Sequence, residues 1–234
     1  MRALAELMWR IPELRDSYGT LLTGIRLNAS SGASRSILVT SAQPNEGKTT
    51  VASCLAIVAS RSGQTVLLVD GDLRRPSLAS AAAIENGVGF SEVIGDRVEI
   101  TEAINRIELF ADLRVAGSLS VMGAGQKAPE FFATVDWDQA RRTVQAMTQR
   151  FDLVLFDSPP ILAGNDALLL AGIVDGVLLV VGAGSADREE VRRAKEQLAE
   201  VGTPMIGAVF NQFDQRIHGR ASQPYSKYYL NARQ

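Results

Sequence analysis

Between the β-forming run Ser36-Ile37-Leu38-Val39-Thr40-Ser41 and a long helix-forming stretch stands Ala42-Gln43-Pro44-Asn45-Glu46-Gly47-Lys48-Thr49-Thr50. A Gly-Lys-Thr placed at a strand-to-helix junction matches the Walker A phosphate loop, with Ala42 where the pattern has its first glycine. The residue types follow the chemistry. Backbone N–H groups and the helix N-terminus cradle phosphate oxygens. Lys48 neutralises charge at the β- and γ-phosphates, and the Thr49 hydroxyl ligates Mg²⁺. The loop predicts ATP contacts from Asn45, Glu46, Gly47, Lys48, Thr49 and Thr50, with Gly47 allowing close backbone approach.

A loop entered from a strand and left by a helix requires an α/β domain, and the rest of the chain agrees. Short apolar runs read as strands at Ser36–Ser41, Thr65–Asp70, Leu113–Ala116, Phe151–Asp157, Gly176–Val181 and Met205–Asn211. Helical stretches read at Lys48–Ser62, Asp138–Arg150, Asn165–Gly172 and Arg188–Val201, with Gly63 and Gly202 as terminating glycines. Strands alternating with helices imply a doubly wound, mostly parallel sheet with helices on both faces.

At 234 residues, with 46% hydrophobic and 21% charged, the chain suffices for one such domain with short tails. The expected division is an N-terminal helical appendage and Ser/Gly/Ala-rich link over 1–34, a nucleotide-binding domain over 35–211, and a flexible polar tail over 212–234.

Net charge −2 gives no basic surplus, so nucleic acid is not an expected partner. The single cysteine, Cys54, excludes an intramolecular disulfide and reads as a small buried hydrophobe in a reducing, cytoplasmic compartment. Met1–Arg10 carries Glu6 and does not resemble a secretion signal. Apolar runs such as Gly176–Ala183 are of strand length, well short of the ~20 residues that cross a bilayer. No direct membrane insertion is expected, and any membrane connection runs through a partner.

Two further strands deliver carboxylates to the edge where open α/β sheets bind ligands. One ends Val69-Asp70-Gly71-Asp72-Leu73-Arg74-Arg75-Pro76, the other Leu155-Phe156-Asp157-Ser158-Pro159-Pro160. An apolar strand ending in one acid is what a Walker B aspartate holding Mg²⁺ needs, which is the reading for Asp157.

The combination of the phosphate loop, Asp-x-Asp-x-Arg and Asp-Ser-Pro-Pro resembles the bacterial tyrosine kinases, the cytoplasmic kinase modules of capsule and exopolysaccharide machinery. The resemblance spans Ser36 to about Asn211. It implies that Lys48 and Thr49 contact phosphate and Mg²⁺, that Thr49, Asp70 and Asp157 organise the metal, and that Asp72 is the base. Arg74 would steady the phosphates or Asp72, and Asn211 would lie against adenine. A tyrosine hydroxyl, with a reference pKa of about 10, is protonated at pH 7, so a carboxylate accepting its proton fits the chemistry. A transmembrane polysaccharide co-polymerase or activator is the implied partner, recruiting the chain to the inner face of the membrane.

Three of the four tyrosines, Tyr225, Tyr228 and Tyr229, fall in the last ten residues. They read as phospho-acceptors, presented in the chain's own tail or to a neighbouring subunit; the plainer alternative is aromatic packing on a surface. The resemblance also predicts a ring-forming helix with Glu-x-x-Arg-x-x-Arg. Here Asp16 keeps the acid, but Gly19 and Leu22 stand at the arginine positions, leaving homo-oligomerisation open. Arg15 and Arg26 lie nearby. Lys127-Ala128-Pro129-Glu130-Phe131-Phe132 also departs from the family pattern.

Two rival readings remain. An ATP-driven dimerisation switch of the partition type would carry an additional lysine early in the loop, and Ser41 to Glu46 contains none. A weakly active regulatory subunit fits the altered helix but not the intact Lys48, Asp70, Asp72 and Asp157. His218, the only histidine, reads as an ordinary surface residue and builds no metal site or triad.

Overall fold

The computed structural model describes residues 1–28, 35–85, 87–109, 118–126 and 134–213. In chain order these form α1 (Arg2–Arg10), α2 (Pro12–Asn28), β1 (Ser36–Ser41), α3 (Lys48–Arg61), β2 (Val66–Asp70), α4 (Leu78–Ala82) and α5 (Phe90–Ile94). Then follow β3 (Asn105–Glu108), β4 (Ser118–Met122), α6 (Trp137–Arg150), β5 (Leu153–Asp157), α7 (Asp166–Ala171), β6 (Gly176–Gly182), α8 (Arg188–Val201) and β7 (Met205–Asn211).

The strands make one seven-stranded sheet in the order β3-β4-β2-β5-β1-β6-β7, parallel except for the antiparallel edge pair β3–β4. Every residue of β1, β2 and β5 is buried. That is why these strands read as continuous apolar runs, since helices cover both of their faces. The Leu113–Ala116 strand of the sequence reading lies outside the described residues, and the strand beside β2 is β4. Strands β3 and β4 and the five-residue helices α4 and α5 were not foreseen.

The helix ends follow local chemistry. Asp136 caps α6 by accepting from the N–H groups of Asp138 and Gln139, and Asp187 caps α8 through Glu189 and Glu190. Gly63 (φ +87°) and Gly202 (φ +82°) take the left-handed conformation expected beyond α3 and α8.

One half of the core lies between the sheet and α5–α8, where Phe90 meets Phe156 edge-on at 5.6 Å. The other half lies under α3, whose residues Val51 to Ser60 are all buried. Ala5 and Met8 of α1, with Tyr18, Leu22 and Ile25 of α2, are buried in this same half. The N-terminal segment expected as an appendage therefore shares the core of the nucleotide-binding domain. Cys54 is buried here, as its setting in the sequence implies, and burial pushes the Tyr18 hydroxyl and, to about 11, the Cys54 thiol upward.

Leu22 is 3% exposed against this core, so the side chain standing at a ring-arginine position is committed to packing within the subunit. Gly19 faces open space and Asp16 pairs with Arg15 at 3.2 Å. Among the described residues no helix is long and apolar enough to cross a membrane.

Candidate active site

Parallel pairing fixes which residues meet at the carboxyl edge of the sheet. In the β2–β5 register Asp70 stands opposite Asp157, and Val39 of β1 also pairs with Asp157. Neighbouring strands lie about 4.8 Å apart, so the ends of β1, β2 and β5 converge on one small region. The Gly71 N–H donates to the Asp157 carbonyl at 2.7 Å, and a Cβ on Gly71 would lie 2.9 Å from that oxygen. Glycine is therefore what allows the two acid-bearing turns to touch.

Between β1 and α3 the chain turns twice through the left-handed region, at Asn45 (φ +66°) and Gly47 (φ +89°). Such a reversal aims successive N–H groups into a concavity suited to an anion, and α3 adds the positive end of its dipole. Gly47 has a second reason to lack a side chain, since a Cβ there would meet the Asn211 amide nitrogen at 2.1 Å. A cleft of about 700 Å³ opens over the loop. Its lining includes Asn45, Gly47, Lys48, Thr49, Thr50, Asp72, Arg74 and Asp157.

Thr49 Oγ1 donates to Asp157 Oδ2 at 2.6 Å. Asp157 is 2% exposed, and its other oxygen, Oδ1, has no hydrogen-bond partner. Leaving a carboxylate oxygen buried and unpaired is costly, and burial pushes this acid up to about 7; the Asp70 and Asp72 charges push the same way, against the Thr49 hydrogen bond and Lys48. Burial lowers the Lys48 ammonium, opposed by the charges of Asp157, Asp72 and Glu46. An orphaned buried carboxylate oxygen beside a threonine hydroxyl, both hard oxygen donors, fits Mg²⁺, which takes few protein ligands along with substrate phosphates.

Asp70 is fully buried, and both of its oxygens are taken by backbone: Oδ1 accepts from Asp72 N (3.2 Å), Oδ2 from Ser77 N (3.0 Å) and Leu78 N (2.9 Å). Burial raises it to about 6 despite these bonds. Here Asp70 anchors the turn that carries Asp72. Asp72 lines the cleft, and its Oδ1 accepts from Arg75 N at 2.8 Å.

Among the described residues Arg74 bonds to neither the loop nor Asp72, although the Asp72 charge acts on it across the cleft. Its guanidinium is bidentate on Asp166 at the start of α7, through Nε and through Nη2 at 3.1 Å. Asn211 Nδ2 donates to the Glu46 carbonyl at 2.9 Å, so it braces the back of the phosphate loop. The Glu46 side chain is buried and points away from the cleft, leaving only its backbone near a ligand.

Sequence reasoning missed Asp166, Ser77, Gln212 and Glu190, which hold this machinery from distant parts of the chain. Ser77 Oγ lies 3.4 Å from Thr49 Oγ1 and Gln212 Nε2 donates to the Asn45 carbonyl at 2.9 Å. Tyr225, Tyr228, Tyr229, His218 and Lys127–Phe132 lie outside the described residues.

The chain matches the CobQ/CobB/MinD/ParA nucleotide-binding domain over residues 37–230. It is 32% identical over 196 residues to the tyrosine-protein kinase YwqD of Bacillus subtilis, spanning 84% of this chain and 80% of that one. It is also 32% identical over 190 residues to the tyrosine-protein kinase Etk of Escherichia coli, covering 81% of this chain but a quarter (25%) of the longer relative. The solved kinase domain of Etk superposes with a TM-score of 0.75 at 28% identity, covering 86% of this chain and 78% of that one. The septum site-determining protein MinD of Pyrococcus horikoshii, complexed with Mg-ADP, shares the fold at a TM-score of 0.62 and 20% identity, over 77% of this chain and 71% of that one. Sequence, fold and the acid-lined phosphate loop agree: the chain belongs to the bacterial tyrosine kinases, within the CobQ/CobB/MinD/ParA family of nucleotide-binding domains.

Proposed function

We propose that the chain transfers the γ-phosphate of Mg-ATP to tyrosine hydroxyls, with its own Tyr225, Tyr228 and Tyr229 as acceptors. The observation that carries this reading is the convergence, in one cleft, of a phosphate-cradling loop, a threonine–aspartate pair with one orphaned oxygen, and a separate carboxylate, Asp72. The first two bind nucleotide and metal, while the third has no part in holding them and is free to serve chemistry.

Thr49 and Asp157 would hold Mg²⁺, which when bound screens the phosphate charge. The loop N–H groups and Lys48 orient the triphosphate. The acceptor Oη attacks phosphorus in line as its proton passes to Asp72, the bond to the leaving oxygen breaks, and phosphotyrosine and ADP result. Arg74 acts at a remove, tying the Asp72 turn to α7 through Asp166 and keeping the cleft's two walls in register.

Chain geometry supports the tail as acceptor. Gln212 both lines the cleft and bonds the loop, so the chain continues toward the tyrosines from the rim of the site. Tyr225 lies 12 residues beyond Phe213, a reach of up to about 40 Å when extended, enough for its own site or a neighbour's. The family resemblance carries the further proposal that a transmembrane partner recruits the chain to regulate polysaccharide synthesis and export.

Asp72→Asn tests the assignment of the base. The variant should bind Mg-ADP as the wild type does and lose about 10²–10⁴-fold in phosphotransfer, the usual share of general-base catalysis. Undiminished tail phosphorylation would remove Asp72 from that role.

A further inference from the structure

Behind the phosphate loop, on the side away from the cleft, lies a carboxylate that the phosphotransfer mechanism does not use. Glu46 is 1% exposed. Its Oε2 accepts from Gln43 N at 2.8 Å, within the loop, and its Oε1 accepts from Gly182 N at 2.9 Å, at the end of β6 and 136 residues away. A buried carboxylate is retained only where its oxygens are satisfied, and here both are.

Other bonds reach the same stretch of backbone from behind. The Glu46 carbonyl accepts from Asn211 Nδ2 and the Asn45 carbonyl from Gln212 Nε2, each at 2.9 Å. Gln43 Nε2 donates to Glu190 Oε1 of α8 at 2.7 Å. The fit at Gly182 is close, because a Cβ there would stand 3.3 Å from Glu46 Cγ and 2.4 Å from Ser185 Oγ. Three separate elements, the end of β6, the end of β7 and the first turn of α8, thus converge on residues 43–46.

We propose that Glu46 is a positioning residue for nucleotide binding, clamping the phosphate loop to the ends of β6 and β7 so that its N–H groups stand ready before the phosphates arrive. The proposal rests on the nucleotide reading of the cleft and adds a residue that acts on it from behind. The loop holds two left-handed residues, Asn45 and Gly47, one of them a non-glycine, and a conformation of this kind persists only when its surroundings over-determine it. By taking the backward-facing N–H of Gln43, the carboxylate fixes the sense of the turn and leaves the N–H groups from Gly47 onward to face the cleft. Without it, the loop must be ordered during binding, and that cost appears as lost affinity. Because none of the clamp's bonds involves Asp72, its loss weakens ATP binding far more than it slows the transfer of bound phosphate.

The test is titration calorimetry with Mg-ADP, together with steady-state ATP turnover, on the full chain and on Glu46→Ala, Glu46→Gln and Gly182→Ala. Glu46→Ala should raise the Mg-ADP dissociation constant and the KM for ATP by about tenfold or more, with kcat within about threefold of wild type. Glu46→Gln keeps one acceptor but must turn its amide N–H₂ on the Gln43 or the Gly182 N–H, donor against donor, so it should recover only part of that affinity. Gly182→Ala crowds Ser185 Oγ at 2.4 Å and Glu46 Cγ at 3.3 Å; it should weaken binding alone, and the share of its effect that acts through Glu46 should vanish in the Glu46→Ala background. Should Glu46→Ala prove insoluble, the Gln and Gly182→Ala variants decide the question through the same affinities. Wild-type affinity in Glu46→Ala, or in both of the milder variants, overturns the clamp. Failure of the wild type itself to bind Mg-ADP overturns the nucleotide reading, and the clamp with it.

Discussion

Replacing Asp157 with asparagine should make the nucleotide-free protein more stable while destroying its activity. The carboxylate is buried beneath the loop, one oxygen held by Thr49 and the other unpartnered, and its pKa rises from 3.8 to about 7. A carboxylate whose folded pKa lies above its unfolded value binds its proton more tightly in the native state, so the cost of ionising it appears as pH rises from about 4 through about 7 and is fully felt above that. At about 1.4 kcal/mol per pKa unit, the native state carries about 4 kcal/mol of destabilisation at pH 8.

Asparagine removes the charge and retains an oxygen to accept from Thr49, but its amide N–H₂ faces the position where Oδ1 had no partner, which returns about 1–3 kcal/mol. The net gain is about 1–3 kcal/mol, or a rise in Tm of about 3–10 °C for a domain of this size. Thermal unfolding of metal-free protein from pH 5 to 8 should show wild-type stability falling as pH rises. The variant should show a shallower slope, retaining only the smaller contribution of Asp70, raised to about 6. Mg-ADP should stabilise the wild type and have little effect on the variant. An Asp157→Asn protein less stable than wild type at pH 8, or with an unchanged pH slope, would refute the view of Asp157 as a strained metal ligand.

Gly47→Ala should abolish measurable Mg-ADP binding in calorimetry, because the new Cβ would collide with the Asn211 amide at 2.1 Å while the backbone holds φ at +89°; binding within threefold of wild type would show the loop to be far more plastic than its geometry implies. Leu22→Ala should cost about 2–5 kcal/mol in chemical denaturation, since that side chain is buried with Tyr18 and Ile25 in the core half under α3. A loss below 1 kcal/mol would mean that α2 contributes little to the folded domain.

The phosphate loop was legible because its signal is local: a strand, six residues and a helix, with spacing dictated by the ligand's shape. The acids Asp70 and Asp157 were legible for a related reason, since strand-end positions declare themselves where an apolar run stops. Which groups hold those side chains once there was not legible. Asp70 proves to be held by the backbone N–H groups of Asp72, Ser77 and Leu78, and the Arg74 partner, Asp166, lies 92 residues away. Glu46 could be assigned to the loop but not to its clamp, whose other half is at Gly182. Strand β3 escaped because Asn105-Arg106-Ile107-Glu108 is a short edge strand with one buried residue, and α4 and α5 because five residues are too few to display a helical period. Leu22 marks the opposite limit: as a departure from a family motif it raised a question about assembly, and only packing revealed that it serves the core.

The central claim is tested most directly by incubating the full chain with Mg-ATP and reading intact mass and modification sites, against Lys48→Met and a triple Tyr225/Tyr228/Tyr229→Phe variant. The account predicts phosphate on the tail tyrosines of the wild type and none on either variant, with ATP turnover also lost in Lys48→Met. ATP hydrolysis without phosphotyrosine in the wild type would contradict it and leave a nucleotide-driven switch.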